Sequence, residues 1–355
     1  MQVDLVDSWY QKSLQPITFC LLPFSWLFRL GVAIRRWFYR IGFIKTTVFT
    51  TPIIVVGNIT VGGTGKTPCV IWLTQFLASQ GFKPGIVSRG VGGKKQKNPH
   101  VVSLQDKANE VGDEALLLVQ KTLCPVVIGM DRVKAVRRLL RDSSCNIIIS
   151  DDGLQHYRMG RSIEIAMMDG LRRFGNGQLL PAGPLREPIS RLKTVDLILV
   201  NGGGEQDKLT MKLEPVVFVS LMDEQKTIKL ADFPRQKVHA IAGIGHPQRF
   251  FRELKEMGFE LVEHIFPDHY LYQSHDFNFE EQLPIIMTEK DAVKCREIAQ
   301  ENYWYLQITA NMSHLFQQTL LQKLKAIRRS DESEEDFSKR SCHMVGPVPY
   351  DPKGK

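Results

Sequence analysis

The chain has 355 residues, too many for one ordinary domain and about right for two. Hydrophobic residues make up 43% and charged residues 24%, which excludes wholesale disorder and fits a globular protein with a real core. The formal net charge of +8 is unevenly placed: from Ser8 to Gln105 there are twelve basic residues and no Asp or Glu, leaving 34 basic against 38 acidic elsewhere. That end should face something anionic: nucleic acid, a phosphorylated substrate or an acidic membrane surface. Six cysteines (Cys20, Cys69, Cys124, Cys145, Cys295, Cys342) form no CxxC pair, so neither a zinc site nor a disulfide framework is expected, and a reducing cytosolic compartment suits them.

Residues 16–43 (PITFCLLPFSWLFRLGVAIRRWFYRIGF) are rich in leucine and aromatics. Their longest uncharged run, 13–28, covers 16 residues, short of the roughly 20 a membrane span needs. Most of the positive charges follow this run, the reverse of a secretory signal. Trp26, Phe28, Trp37, Phe38 and Tyr39 interleave with Arg29, Arg35, Arg36 and Arg40, which predicts an amphipathic helix lying in the headgroup layer. The competing reading is a helix packed on the protein's own core.

Beyond Lys45, strands and helices alternate. Apolar runs at 52–56, 85–88, 101–104, 125–128, 146–150, 163–168 and 196–200 read as strands; 66–79, 115–121 and 132–141 read as helices. This predicts an α/β fold with a mostly parallel sheet covered on both faces. After a strand at 216–221, a second unit offers strands at 238–242, 261–266, 284–288 and 304–308, with helices at 248–257, 291–299 and 313–327. The expected organisation is an N-terminal helix (1–45), a P-loop core (46–215), a smaller α/β domain (216–327) and a disordered tail (328–355).

The strongest motif is Thr60-Val61-Gly62-Gly63-Thr64-Gly65-Lys66-Thr67, between a strand and a helix. Glycines let backbone N–H groups wrap a nucleotide's β-phosphate, Lys66 supplies a cation to the β- and γ-phosphates, and the Thr67 hydroxyl is placed to ligate Mg²⁺. Thr60 stands where the first glycine of such a loop is usual. Asp151 and Asp152 close the apolar strand at 146–150, where a P-loop enzyme keeps an acidic metal partner.

Further motifs accompany the loop: Ser88-Arg89-Gly90, Gly112-Asp113-Glu114, residues 151–156 (DDGLQH) and 176–188 (NGQLLPAGPLREP). Residues 242–247 (AGIGHP), Pro267-Asp268-His269 and Thr288-Glu289-Lys290-Asp291 complete the set. In this order the chain resembles the tetraacyldisaccharide 4′-kinase (lipid A 4′-kinase) family of Gram-negative bacteria, from the N-terminal helix to about Ile327. Val91 departs from the aromatic that often follows SRG. The resemblance implies transfer of the ATP γ-phosphoryl to the 4′-hydroxyl of an acylated glucosamine disaccharide 1-phosphate, peripherally at the cytoplasmic face of the inner membrane. It implies ATP and Mg²⁺ as cofactors and an anionic membrane surface as partner, with no nucleic acid and no obligate protein partner. Asp113 would be the general base assisted by His269, where the residues alone read Asp113 as a helix cap. Glu114, Asp151 and Asp152 join Thr67 as metal candidates; Arg89, Asn176, Arg186 and Arg191 are candidates for the substrate.

Rival classes fit less well. A GTPase would carry N-K-x-D, and in TEKD the lysine falls one position late. A membrane-cycling P-loop ATPase would carry a lysine where Val61 stands. A nucleic-acid-binding ATPase would need a recognisable nucleic-acid module.

Overall fold

Apolar runs build one sheet of 13 strands in the computed structural model, which describes residues 5–11, 15–94, 96–204 and 206–327. The expected tail at 328–355 lies outside them. The first part of the chain supplies β1 (Ile53–Gly57), β2 (Pro84–Ser88), β3 (His100–Val102), β4 (Val126–Ile128), β5 (Ile147–Asp151), β6 (Ile163–Asp169) and β7 (Leu197–Asn201). The remainder supplies β8 (Thr210–Ser220), β9 (Thr227–Lys229), β10 (Lys237–Ala242), β11 (Glu260–Ile265), β12 (Ile285–Thr288) and β13 (Tyr303–Met312). The order is β11-β10-β12-β13-β8-β7-β6-β1-β5-β2-β4-β3, with β9 paired to β8. All pairings are parallel except β3–β4, β8–β9 and β8–β13.

The helices are α1 (Leu5–Ser8), α2 (Pro16–Arg40), α3 (Lys66–Ser79), α4 (Ala108–Val111), α5 (Asp113–Thr122), α6 (Arg132–Asp142), α7 (Pro247–Glu256) and α8 (Glu289–Cys295). Every residue of β1, β2 and β5 is buried, as expected of strands covered on both faces. α6 sets Val133, Val136 and Leu139 on Ile53, Val55, Val87 and Val127, while the alternate residues Ile54, Val56 and Ile86 are equally buried on the opposite face. In the second half, Phe250, Phe251 and Leu254 of α7 pack with Val238, Ala240 and Ile286, and Ala292 and Cys295 of α8 pack with Ile241, Ile285 and Met287.

The two parts meet where β8 pairs with β7, and β8 then runs antiparallel to the long β13; the boundary expected at 215/216 falls inside β8. Its register shifts between Gln307 and Ile308, opposite Pro215, a residue with no N–H to give a ladder. A helix over 314–327 belongs to a separate unit beginning at His314.

Candidate active site

The phosphate loop leaves β1 at its carboxyl end, near the middle of the sheet, where open α/β sheets bind ligands. Gly62 and Gly65 have φ of +95° and +85°, conformations that glycine reaches without strain. Gly65 is the N-cap of α3, whose first turn has neither a capping side chain nor an acidic residue. Its N–H groups are therefore available to an anion. Two asparagines hold the loop: Asn58 Nδ2 donates to Gly62 O (3.4 Å) and Thr64 Oγ1 (3.2 Å), and Asn201 Nδ2 donates to Thr64 O (3.3 Å). A Cβ on Gly65 would sit 2.6 Å from Asn201 Nδ2, so this glycine also permits the clamp. Asn201, ending β7, went unnoticed in the sequence; a lone Asn before three glycines carries no motif.

The next carboxyl end belongs to β5. Asp151 is buried, and its Oδ2 accepts a hydrogen bond from Ser88 Oγ at 3.0 Å. Its Oδ1 has no hydrogen-bond partner among the described residues. Burial, then the charges of Glu114 and Asp152, push its carboxyl up to about 7. Asp152 sits in the left-handed region (φ +47°), held by Arg186 Nη1 at 3.0 and 3.2 Å and facing Lys66 Nζ at 3.7 Å. Burial would raise its carboxyl, but Lys66 and Arg186 outweigh that and hold it below the usual carboxylate range. The unpartnered Asp151 oxygen and the Thr67 hydroxyl are hard oxygen donors of the kind Mg²⁺ takes, and a kinase Mg²⁺ draws most of its other ligands from phosphates and water. Among the described residues no three His, Cys, Asp or Glu converge on one point.

Across the site lies an Asp–His pair. Gly112, not Asp113, is the N-cap of α5; a Cβ there would lie 2.3 Å from Val91 O, so only glycine lets the loop after β2 approach. Asp113 opens the helix, its Oδ1 accepting from Glu114 N at 2.8 Å. His269 Nδ1 lies 2.9 and 3.1 Å from the two Asp113 oxygens. Burial alone would raise the Asp113 carboxyl; the His269 hydrogen bond and the charges of Lys290, His269 and Lys294 hold it below the usual range. The same hydrogen bond raises His269. His269 adopts φ +63°, costly for a non-glycine residue at about 1–3 kcal/mol, and such strain clusters at functional sites. The Asp113 side chain is 2% exposed and that of His269 24%, so the ring faces the cavity and the carboxylate lies behind it.

These groups surround a cavity of about 850 Å³. Gly62–Thr67, Arg89, Glu114, Asp152, Arg186 and His269 line it; Asp113 and Asp151 stand just behind the wall. Thr60 is buried and Val61 N donates to Pro184 O at 2.8 Å, so both brace the loop from below. Leu213, Ile308, Ala310, Phe250 and His246 add a more apolar part to its lining. Two expected substrate residues are elsewhere. Asn176 shapes a turn, donating to Ala182 O (2.8 Å) and accepting from Gln178 N (3.0 Å). Arg191 is buried between Glu164 (2.5 Å) and Glu187 (3.8 Å), where it balances two acids. Lys290, Gln155, Glu187 and Asp268 line the cavity without having been given roles from sequence.

α2 forms one wall of the same cavity through Phe28, Val32 and Arg35. At 25 residues it is long and apolar enough to cross a membrane by length and composition, more than the uncharged run suggests. It is also docked along its length: Ser25 Oγ donates to Leu179 O (2.8 Å), Arg35 Nη2 to Gln155 O (3.1 Å), and Tyr39 packs on Tyr157. Only Thr18 and Ser25 of the helix are buried, and Phe19, Phe24, Trp26, Leu27, Leu30 and Trp37 are exposed.

The family described as LpxK, tetraacyldisaccharide-1-P 4′-kinase, matches residues 17–325. A tetraacyldisaccharide 4′-kinase of Nitrosococcus oceani is 48% identical over 323 residues, covering 89% of this chain and 93% of the relative. Another, from Shewanella sp., is 46% identical over 337 residues, covering 94% and 99%. A crystal structure of LpxK from Aquifex aeolicus in complex with ATP superposes with a TM-score of 0.72 at 28% identity, covering 88% of this chain and 99% of that one.

Proposed function

The chain belongs to the tetraacyldisaccharide-1-P 4′-kinase family, and on that premise we propose how its residues carry out the family's reaction. It is an ATP-dependent kinase that phosphorylates the 4′-hydroxyl of a tetraacylated disaccharide 1-phosphate in lipid A biosynthesis. The observation that carries the residue assignment is the convergence of the phosphate loop and the Asp113–His269 pair on one cavity walled by a lipid-compatible helix.

Backbone N–H groups of the loop and the first turn of α3 hold the triphosphate, and Lys66 neutralises charge that grows on the γ-phosphoryl oxygens. Thr67 and Asp151, with Glu114 and Asp152 nearby, would hold Mg²⁺, which would supply further neutralisation of phosphate charge. The Asp113–His269 pair accepts the 4′-hydroxyl proton: Asp113 carries the negative charge and fixes the ring through Nδ1, and His269 faces the cavity. Arg89 and Arg186 orient the anionic substrate. α2 rests peripherally on the anionic cytoplasmic leaflet of the inner membrane, its exposed aromatics inserted and its arginines on lipid phosphates. Incubating the purified protein with labelled ATP and a tetraacylated disaccharide 1-phosphate, then resolving the lipids, tests this reading. Label on the 4′-position is the expected product, and ATP hydrolysis with no labelled lipid would end it.

A further inference from the structure

The Thr288-Glu289-Lys290-Asp291 motif is left without a role by the reaction scheme, and the structure accounts for each of its residues. Thr288 caps α8, its Oγ1 accepting from Asp291 N at 3.2 Å. Asp291 is fully buried; its Oδ2 accepts from Gly243 N (3.0 Å) and Thr288 Oγ1 (2.6 Å), and its Oδ1 from Tyr272 OH (3.0 Å). Lys294 completes that carboxylate at 2.8 Å. Glu289 pairs with Lys121 at the far end of α5 (2.5 Å), which fixes α8 against α5. Lys290 is thereby delivered to the opposite end of α5, into the cavity wall.

There its ammonium group lies 3.1 Å from Glu114 and 3.0 Å from Asp268, and 3.8 Å from Asp113. The geometry points to Lys290 as a positioning residue: it gathers Asp113, Glu114 and Asp268 so that the proton-accepting pair keeps its spacing from the phosphates. The acids come from distant segments, with Glu114 removed from Lys290 by 176 positions. Three carboxylates this close repel without a cation between them, and Asp268 is the direct neighbour of His269. Losing the ammonium group lets the Asp268–His269 loop move away from α5 and carries the ring off Asp113. Lys294, 1% exposed, pairs with Asp291 at 2.8 Å and lies 4.0 Å from Asp113, and among the described residues it forms no ion pair with Glu114 or Asp268. Lys290 acts through other residues, since its short contacts are all to carboxylates.

The inference rests on the reading of Asp113 and His269 as the proton-accepting pair. The experiment compares Lys290→Met, Lys290→Arg and Asp113→Ala, each by kcat, by KM for ATP and for the lipid acceptor, and by melting temperature. A displacement of about 1 Å at a reacting centre costs on the order of a hundredfold, so kcat in Lys290→Met should fall by about that factor. KM for ATP should move less than about threefold, because the phosphate loop is untouched. Lys290→Arg, which keeps the charge, should recover at least about tenfold of the loss. A kcat within about twofold of the parent in Lys290→Met, with Asp113→Ala inactive, overturns the inference and leaves the pair standing. Equal kcat losses in the Met and Arg variants, tracking a fall in melting temperature, overturn it in favour of a structural role. Loss of function in neither Lys290→Met nor Asp113→Ala overturns the pair itself. If Lys290→Met does not fold, Lys290→Gln replaces it under the same criteria, keeping a donor while losing the charge.

Discussion

His269 Nδ1 and Asp113 Oδ1 stand 2.9 Å apart although 156 positions separate them in the chain. Asp113 opens a helix of the first half of the sheet, and His269 follows β11 at its opposite edge. The pair therefore bridges the two parts of the sheet, which meet at β7 and β8.

Replacing Asp113 by Ala should depress kcat by about a hundredfold or more, the scale of a lost general base, with little change in nucleotide affinity. A helix cap alone would cost about 1 kcal/mol of stability and spare kcat. Since Gly112 is the N-cap, the melting temperature should not show a cap's loss. His269→Ala should lower kcat in the same direction by a smaller factor, because the carboxylate remains to accept a proton through water. Measuring kcat and melting temperature on the same preparations separates the two roles.

Lys66→Ala should remove most transfer, on the order of 10²–10³-fold in kcat, because the γ-phosphoryl charge loses its fixed cation. Asp152 keeps Arg186 in this variant, so the fold has no new unpaired acid. Near-native turnover at saturating ATP would show that the triphosphate binds elsewhere.

Much of this site was legible because its signals are local. The phosphate loop is contiguous, it opens directly into the apolar run of the helix Lys66–Ser79, and Asp151 ends an apolar strand. The long strands β8 and β13 were less so: Pro215 interrupts one pattern, and the bulge beside Ile308 absorbs the missing donor only once the partner is in place. Arg191 and Asn176 lie outside the cavity lining: in a motif an arginine looks the same whether it meets a phosphate or two buried glutamates, and an asparagine whether it meets a sugar or shapes a turn. Arg35 sits in the same basic-aromatic pattern as its neighbours, yet it donates to Gln155 O and lines the cavity. Lys290 carries no local signal, since its meaning depends on acids brought from two other segments.

Acid should loosen the fold through His156. Burial, then the charge of Arg132, depresses its pKa to about 4, and its Nε2 has no hydrogen-bond partner among the described residues. The unfolded chain, with an ordinary histidine near 6.5, binds more protons than the folded one between these values. The contribution is thus fully present above about pH 6.5 and is lost as the pH falls towards about 4. Melting temperatures of the parent should fall across this window more steeply than those of His156→Gln. Parallel curves for the two proteins would remove His156 from the account.

α2 exposes Phe19, Phe24, Trp26, Leu27 and Trp37, and the chain beyond it exposes Phe43, an apolar surface that a freely soluble domain seldom shows. Arg29 and Arg40 are exposed and Arg36 half-buried, so these three can reach lipid phosphates while Arg35 stays in the cavity wall. Each basic residue near an anionic surface contributes about 1 kcal/mol, so Arg29, Arg36 and Arg40 changed together to Ala should weaken binding to anionic vesicles by about two orders of magnitude. Neutral vesicles, held mainly by the aromatics, should lose far less. Raising salt should mimic the triple change in the parent, because the same attraction is screened over about 8 Å at physiological ionic strength. Turnover of a short-chain, soluble acceptor should survive, since none of the three arginines lines the cavity. Unchanged vesicle binding together with lost turnover of the soluble acceptor would make α2 a part of the catalytic fold and end its reading as an anchor.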